Sequence, residues 1–168
     1  MVSTLNAMTS DNKTAINCFS FLSPVGWLTI FEENNVITAV KWGKKKNKGE
    51  TNLLMRAQKQ ILEYFNGNRQ TYTLRLRPRG TAFQISLWQQ ISRIPYGETT
   101  TYGNLAINLK TTPRAVGSAC GKNPIPIFIP CHRVVGAKNK LIGYSGGSGI
   151  ETKKSLLSLE LKVKNIIK

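Results

Sequence analysis

The sequence predicts an α+β protein: a small N-terminal antiparallel sheet with a helix, followed by a mostly helical C-terminal domain that contains a helix-turn-helix. Residues 18–42 consist of short apolar runs separated by turn residues, a pattern typical of a β-meander. From residue 81 onward, apolar residues recur at helical spacing between capping residues. This change of pattern divides the chain into an N-terminal domain at residues 1–78 and a C-terminal domain at residues 79–168.

The N-terminal domain begins with predicted strands at residues 18–22, 27–31 and 36–40. Residues 51–66 follow as a predicted helix, because their apolar positions recur at helical spacing and Gly67 comes directly after them. Residues 72–76 are compatible with a further strand. Together these elements predict a small sheet that packs against one helix.

The C-terminal domain opens with a predicted helix whose apolar residues share one face and which ends at the turn 94–97. Thr101 can cap a second helix at 102–109, and Thr112 with Pro113 can open a third at 114–120, which Gly121 ends. Two short helices joined by a tight turn on a basic chain predict a helix-turn-helix. Taken alone, such a pair more often reflects plain packing than DNA binding.

Composition and charge narrow the class of protein. Apolar residues make up 40% and charged residues 19%, which excludes intrinsic disorder, and no apolar run is long enough to span a membrane. The chain has 24 Lys and Arg against 8 Asp and Glu, a net charge of +16, which favours a polyanionic partner. Nucleic acid is the first candidate and an anionic membrane surface the second. The lysine run at 44–48, taken alone, is interpreted as a solvated loop.

The cysteines and the histidine limit the possible sites. Cys18, Cys120 and Cys131 are odd in number and far apart, so they predict neither a disulfide framework nor a CxxC metal site. His132 is the single histidine, which excludes zinc sites that need more than one. A reducing compartment, the cytoplasm, is expected, since no secretory signal is visible in the polar stretch from Met1 to Thr14.

Residues 123–136 form the most unusual segment of the chain. Its three prolines fix the backbone around an apolar run and present Cys131 and His132 in one defined geometry. A nucleophilic cysteine attacks as the thiolate, and a nearby imidazole oriented by a carboxylate assists its deprotonation. A cysteine without such context is usually a small buried apolar residue, which is our interpretation of Cys18 and Cys120.

Five motifs carry a family resemblance: Ile-Pro-Tyr-Gly-Glu-Thr-Thr-Thr-Tyr-Gly at 94–103, Arg-Ala-Val-Gly at 114–117, Asn-Pro at 123–124, Pro-Cys-His-Arg-Val at 130–134 and Gly-Tyr-Ser-Gly-Gly at 143–147. They resemble, in the same order, the motifs of the O6-alkylguanine-DNA alkyltransferases, or methylated-DNA-protein-cysteine methyltransferases. The N-terminal domain is similar to that family's less specific first domain. The stretch 147–156 is a couple of residues longer than in some members, which leaves the tolerated size of the alkyl group open.

The resemblance implies a role for each matching residue. Cys131 resembles the alkyl acceptor, His132 the residue that takes the thiol proton through a water, and Glu160 the carboxylate that orients the histidine. Asn123 resembles a hinge beside this network. Further matches imply that Tyr102 serves guanine N3, that Ser145 and the backbone after it bind O6, and that Tyr144 and Val134 belong to the base pocket.

The helix at 114–120 implies the mode of DNA binding. Arg114 resembles the arginine that fills the gap left by a flipped base, and small residues would allow close approach to the minor groove. These small residues are Ala115, Gly117, Ser118 and Ala119.

The implied function is DNA repair by a single-turnover suicide reaction. The alkyl group of O6-alkylguanine, and less well that of O4-alkylthymine, moves irreversibly to Cys131. The partner is double-stranded DNA containing alkylated bases; no cofactor, metal or membrane is implied, and the protein is expected to be a monomer.

The main alternative, a non-catalytic lesion-binding protein of the alkyltransferase-like kind, typically lacks the cysteine. A helix-turn-helix regulator leaves residues 130–133 unexplained, and a cysteine hydrolase accounts for neither the net charge nor Arg114.

Overall fold

A computed structural model describes residues 15–166, so the expectation about a secretory signal in Met1–Thr14 lies outside the described residues. The chain begins with an antiparallel three-stranded sheet of β1 (Asn17–Ser23), β2 (Gly26–Glu33) and β3 (Val36–Trp42), in the order β1-β2-β3. Asn34 and Asn35, with φ values of 52° and 58°, form the tight turn between β2 and β3. The predicted meander is confirmed.

One helix, α1 (Asn52–Phe65), covers the inner face of this sheet. The Thr51 side chain accepts a hydrogen bond from the Leu54 N–H and caps the first turn. The helix ends at Asn66, and Gly67 follows with φ 76°, a conformation that glycine adopts at little cost. The predicted helix and its C-terminal signal, Gly67, are therefore present, and the Thr51 cap is an addition that the sequence analysis did not make.

The lysine run at 44–48 crosses the outer face of the sheet. Thr29 Oγ1 donates to the Gly43 carbonyl at 2.7 Å, and Ser20 Oγ donates to the Lys45 carbonyl at 2.8 Å. Both hydroxyl side chains are buried beneath the segment, whereas its lysine side chains are exposed. The side chains are solvated as expected, but buried hydrogen bonds fix the backbone.

Residues 72–76 do not form a strand, which corrects one expectation. This segment makes a single isolated bridge, between Ile37 and Leu76. The Thr73 N–H donates to Gln60 Oε1 at 3.0 Å, and Gln60 Nε2 donates to Thr73 Oγ1 at 2.8 Å. A side chain of α1 therefore occupies the backbone group that strand pairing would need.

The C-terminal part starts with α2 (Ala82–Ile91), which begins in a capping box made by Thr81 and Gln84. Its buried residues Leu87, Trp88 and Ile91 lie in the core. These are three of the apolar positions that predicted the helix, so its buried face is confirmed.

The two short helices follow as α3 (Tyr102–Asn108) and α4 (Pro113–Gly121), and they pack against each other. Thr101 Oγ1 accepts a hydrogen bond from the Asn104 N–H, and Thr112 Oγ1 accepts one from the Ala115 N–H. The two helices and their caps are as predicted. Their use as a DNA-binding helix-turn-helix stays a prediction.

The sequence pattern did not predict several elements of the C-terminal part. A two-stranded parallel sheet pairs β4 (Thr100–Thr101) with β5 (Val134–Val135), and a short 3₁₀ turn covers Cys131–Arg133. The last helix, α5 (Ile150–Ile166), has Lys153 and Glu160 on its buried face. Charged residues on that face mask the helical periodicity, and strands of two residues have none.

The two parts of the chain share one apolar core. The Val40 N–H at the edge of β3 donates to the Pro124 carbonyl at 2.9 Å, and the rings of Tyr72 and Phe128 meet edge to face, 4.7 Å apart. The predicted α+β class is confirmed. Between residues 15 and 166, no helix is both long and apolar enough to cross a membrane.

Candidate active site

Cys131 is the first residue of the 3₁₀ turn, and its thiol is held from one side by Asn123. The residue is buried, and Asn123 Nδ2 donates to Cys131 Sγ at 3.2 Å and to the Ile129 carbonyl at 2.9 Å. The Ile125 N–H in turn donates to Asn123 Oδ1 at 3.0 Å. One asparagine therefore positions both the thiol and the proline-rich backbone that leads to it.

His132 and Glu160 form a buried pair beside the thiol-bearing turn. Their side chains are fully buried, and His132 Nε2 lies 2.7 Å from Glu160 Oε1. Burial alone would raise the pKa of Glu160, but the hydrogen bonds and charges of His132 and Arg133 lower it to about 2. Burial lowers the pKa of His132, opposed by Glu160, so the imidazole is neutral at pH 7.

This pair fixes the tautomer of the histidine. An ionised carboxylate can only accept hydrogen bonds, so the proton of the neutral ring is on Nε2, where it is donated to Glu160. Nδ1 then carries the lone pair. It is buried and has no hydrogen-bond partner among the protein atoms of residues 15–166. His132 can therefore accept a proton at Nδ1 while Glu160 stabilises the resulting imidazolium.

Glu160 also collects hydrogen bonds that the sequence did not predict. Arg133 Nε donates to Oε2 at 2.9 Å and Arg133 Nη2 to Oε1 at 3.1 Å. The Gly97 N–H donates at 2.9 Å, and the hydroxyl of Tyr64 on α1 donates at 2.8 Å. Arg133 could have been suspected from its place next to His132. Tyr64 gave no signal, because it lies on the apolar face of a helix.

A buried lysine completes the charged groups near the thiol. Lys153 Nζ donates to the Val134 carbonyl at 2.5 Å and to the Ile142 carbonyl at 2.7 Å, and no carboxylate in the described part of the chain pairs with it. Burial raises the pKa of the Cys131 thiol, whereas the Asn123 hydrogen bond and the Lys153 charge oppose this rise. The resting thiol is therefore protonated, and its proton must leave before the sulfur can attack.

The thiol opens into a cleft of about 250 Å³. Tyr144, Ser145 and Gly146 line one side, as the assignment of the first two to the base pocket requires. The end of β3 supplies another side through Val40, Lys41 and Trp42. This contribution of the N-terminal part was not predicted, since no motif in 36–42 indicated it.

Tyr102 and Val134 are not part of this cleft, contrary to what their assigned roles suggest. Tyr102 lines a separate apolar cleft of about 410 Å³, and its hydroxyl donates to the Gly143 carbonyl at 3.0 Å. Val134 is fully buried, and its carbonyl accepts the Lys153 hydrogen bond. Pairing of β5 with β4 and the hydrogen bonds of Lys153 account for this placement.

Within residues 15–166 the three cysteines are free and buried, and no cluster of His, Cys, Asp or Glu could hold a metal ion. Cys18 lies in β1, in line with its interpretation as a small buried residue. Cys120 is also buried, but it lines the Cys131 cleft. Its pKa is raised to about 12, mainly by burial and then by Cys131, so its thiol is protonated at neutral pH.

The predicted DNA-contacting residues lie on α4. Arg114 and Ser118 are exposed, and Ala115 and Gly117 are half-buried. Ala119 is buried, and its carbonyl accepts a hydrogen bond from Trp88 Nε1 at 3.1 Å. Its expected place at a groove is therefore wrong, because this side of α4 packs on α2.

Two family models together match most of the chain. Residues 18–78 match the ribonuclease-like domain of 6-O-methylguanine DNA methyltransferases, and residues 82–162 match the DNA-binding domain of the same proteins. The chain belongs to this family.

Two relatives in this methyltransferase family are identical to the chain at about two fifths of the aligned positions. A methylated-DNA–protein-cysteine methyltransferase of Methanosarcina acetivorans is 40% identical over 150 residues, which is 83% of this chain and 95% of the relative. The constitutive enzyme of Bacillus subtilis is 41% identical over 151 residues, covering 82% and 91%.

Solved methyltransferase structures share the fold. The Mycobacterium tuberculosis O6-methylguanine methyltransferase is similar with a TM-score of 0.79 and 34% identity, over 92% of this chain and all of that one. The same organism's protein in complex with DNA has a TM-score of 0.77 and 38% identity, over 86% and 92%.

Proposed function

We propose that this protein repairs duplex DNA by moving the alkyl group from O6 of an alkylguanine to Sγ of its own Cys131. The S–C bond forms as the C–O6 bond breaks, and the electron pair of that bond leaves with the guanine. The observation that best supports this proposal is the thiol of Cys131, which opens into a cleft. The next residue, His132, is neutral and is oriented by the ionised carboxylate of Glu160. Membership of a methyltransferase family supports the same reaction.

The proton of the thiol is assigned to His132. Nδ1 has a free lone pair, and the family resemblance implies that a water carries the proton to it. The imidazolium that forms is stabilised by the carboxylate of Glu160, which is already ionised. The thiolate keeps the hydrogen bond from Asn123 and the charge of Lys153, which lower the cost of forming it in a buried site.

The departing guanine needs a proton donor. Ser145 is exposed at the cleft and is assigned to O6 together with the backbone after it. Tyr102 is assigned to guanine N3. To donate to the base, its hydroxyl must give up its hydrogen bond to the Gly143 carbonyl. Transfer leaves a thioether on Cys131, which is a chemically stable bond, so we assign one turnover to each molecule.

Access to the base requires flipping it out of the duplex. We assign this step to α3 and α4 of the C-terminal domain at 79–168, with Arg114 filling the gap and Ala115, Gly117 and Ser118 against the groove. The net charge of +16 favours contacts with phosphates. The N-terminal domain at 1–78 supports the site, a monomer suffices, and a reducing cytoplasm keeps Cys131 reduced.

The test is the intact mass of the protein after incubation with a duplex that contains one O6-methylguanine. We expect a gain of one methyl group, saturating at one per chain and located on Cys131 by peptide mapping. The Cys131→Ala variant gains none, and Cys120→Ala, which removes the other thiol of the cleft, gains it as the parent protein does. A folded, DNA-binding protein that gains no methyl group overturns the proposal in favour of lesion binding without repair.

A further inference from the structure

Trp42 brings the N-terminal sheet to the cleft of Cys131. It is the last residue of β3 and is paired with Leu28, so its side chain lies on the inner face with Val40. The hydrogen bond from the Val40 N–H to the Pro124 carbonyl, at 2.9 Å, joins this strand to the segment that leads to the thiol. The position of Trp42 relative to the cleft is therefore fixed by backbone pairing on both sides of β3.

The indole of Trp42 lies against two glycines of the opposite wall. A Cβ atom at Gly146 would lie 2.6 Å from Trp42 Nε1 and 2.8 Å from Cε2. One at Gly147 would lie 3.2 Å from Cε3 of the same ring. Any larger residue at 146 would displace the indole, so the glycine leaves the ring in contact with bare backbone.

We infer that Trp42 limits the size of the alkyl group that Cys131 accepts. This inference rests on the proposed function. Trp42, Cys120, Pro126 and Tyr144 all line the cleft of about 250 Å³ that receives the thiol. The flipped base and its alkyl group must share that space, and a methyl group needs little of it.

A bulky substituent such as benzyl competes with the indole. Trp42 has little room to move away, because β3 fixes its backbone and the glycines lie against its ring. Well-packed sites resist displacement of this kind. The wall that selects the alkyl group therefore comes from the part of the chain that matches the ribonuclease-like domain, and not from the part that matches the DNA-binding domain.

The experiment compares two duplexes that differ only in carrying O6-methylguanine or O6-benzylguanine. The rate constant for alkylation of Cys131 is measured by intact mass for the parent protein, Trp42→Ala and Trp42→Phe. In Trp42→Ala we expect the benzyl-to-methyl ratio to rise at least about tenfold over the parent protein, the scale on which apolar pockets discriminate by size. Trp42→Phe gives a smaller rise. The rate constant for benzyl transfer is divided by that for methyl transfer in the same protein. When these ratios are compared between proteins, the difference in intrinsic reactivity between the two substrates cancels.

Trp27→Ala is the matched control, since Trp27 lies on the outer face of the same sheet and is partly exposed. Its ratio is expected to equal that of the parent protein. An unchanged ratio in a folded Trp42→Ala overturns the inference, and if this variant melts below the assay temperature, an unchanged ratio in Trp42→Phe does so. If the parent protein transfers a methyl group to Cys131 and the Trp42 substitutions do not change the ratio, the inference fails and the proposed function stands. A parent protein that takes no methyl group refutes that function itself.

Discussion

At the scale of single residues, the buried carboxylate of Glu160 holds the site together. It accepts hydrogen bonds from His132 and Arg133 of the 3₁₀ turn, from Gly97 in the turn after α2, and from Tyr64 of α1. A buried charge is tolerated only when it is paired and its lone pairs are satisfied. Loss of any one donor is therefore expected to weaken the fold and the orientation of His132 together.

Tyr64 allows a clean test of this view. Replacing it with Phe removes one hydroxyl that donates to a charged group, which should cost about 1.5–3 kcal/mol of the free energy of unfolding. Tyr96→Phe is the control, because the Tyr96 hydroxyl is buried without a hydrogen-bond partner among residues 15–166. Urea unfolding measures both variants. Equal stability of Tyr64→Phe and Tyr96→Phe would contradict the role of Tyr64.

Acid should destabilise the protein through Glu160. Its pKa is about 2 in the folded protein against an ordinary value of 4.5, so its contribution is complete above pH 4.5 and is lost as the pH falls toward 2. We expect the free energy of unfolding to fall across this window. The NMR signal of the Glu160 carboxyl carbon should report an ionised carboxylate at pH 4. A midpoint near 4.5 for Glu160 would contradict the pairing.

The candidate site residues can be predicted where a motif places them in sequence. Cys131, His132 and Asn123 lie in one short segment, and the family resemblance indicated Glu160. Lys153 was not predicted, although it lies seven residues before Glu160, at a spacing that returns to the same helix face. Tyr64 and Trp42 could not be found in this way, because only tertiary packing brings them to the site.

At the scale of elements, helix caps were the most reliable signal. Thr101 and Thr112 accept the predicted kind of hydrogen bond, because capping is decided within a few residues. Thr51, for which no cap was predicted, caps α1 in the same way. The pairing of β4 with β5 could not be predicted, since it joins segments that are distant in sequence and only two residues long. Residues 72–76 failed as a strand because Gln60, also distant in sequence, binds their backbone.

Helix α4 carries a prediction about DNA. Arg114 is exposed at its first turn, so Arg114→Ala should leave the fold intact and slow transfer from a duplex on the order of tenfold. Transfer from free O6-benzylguanine, which has no phosphates, should not change. Arg93→Ala, which removes an exposed arginine outside α4, should alter neither rate. Equal loss of both reactions in Arg114→Ala would point to damage of the site and not to lost DNA contacts.

At the scale of the whole molecule, the site is built across both parts of the chain. Tyr64 from α1 and Trp42 from β3 meet residues of the C-terminal part around the thiol. A chemical change at Cys131 should therefore alter the stability of the whole fold.

Alkylation of Cys131 tests this coupling. A methyl group on the buried Sγ disrupts the hydrogen bond from Asn123 and leaves that N–H without its partner, at a cost of about 1–3 kcal/mol. The melting temperature of the methylated protein should be lower by several degrees, at roughly 2–4 °C for each kcal/mol. Scanning calorimetry of the free and the methylated protein measures this difference. Equal melting temperatures would show that the cleft accepts the methyl group without strain.

In the proposed reaction, activation of Cys131 depends on the protonation state of His132, which is the single histidine of the chain. Nitrogen-15 NMR of the uniformly labelled protein therefore reports on this ring alone. We expect a neutral imidazole near pH 7 with the proton on Nε2 and a lone pair on Nδ1, and no titration at the ordinary pKa of 6.5. A proton on Nδ1, or an imidazolium at neutral pH, would contradict His132 as the base that takes the thiol proton.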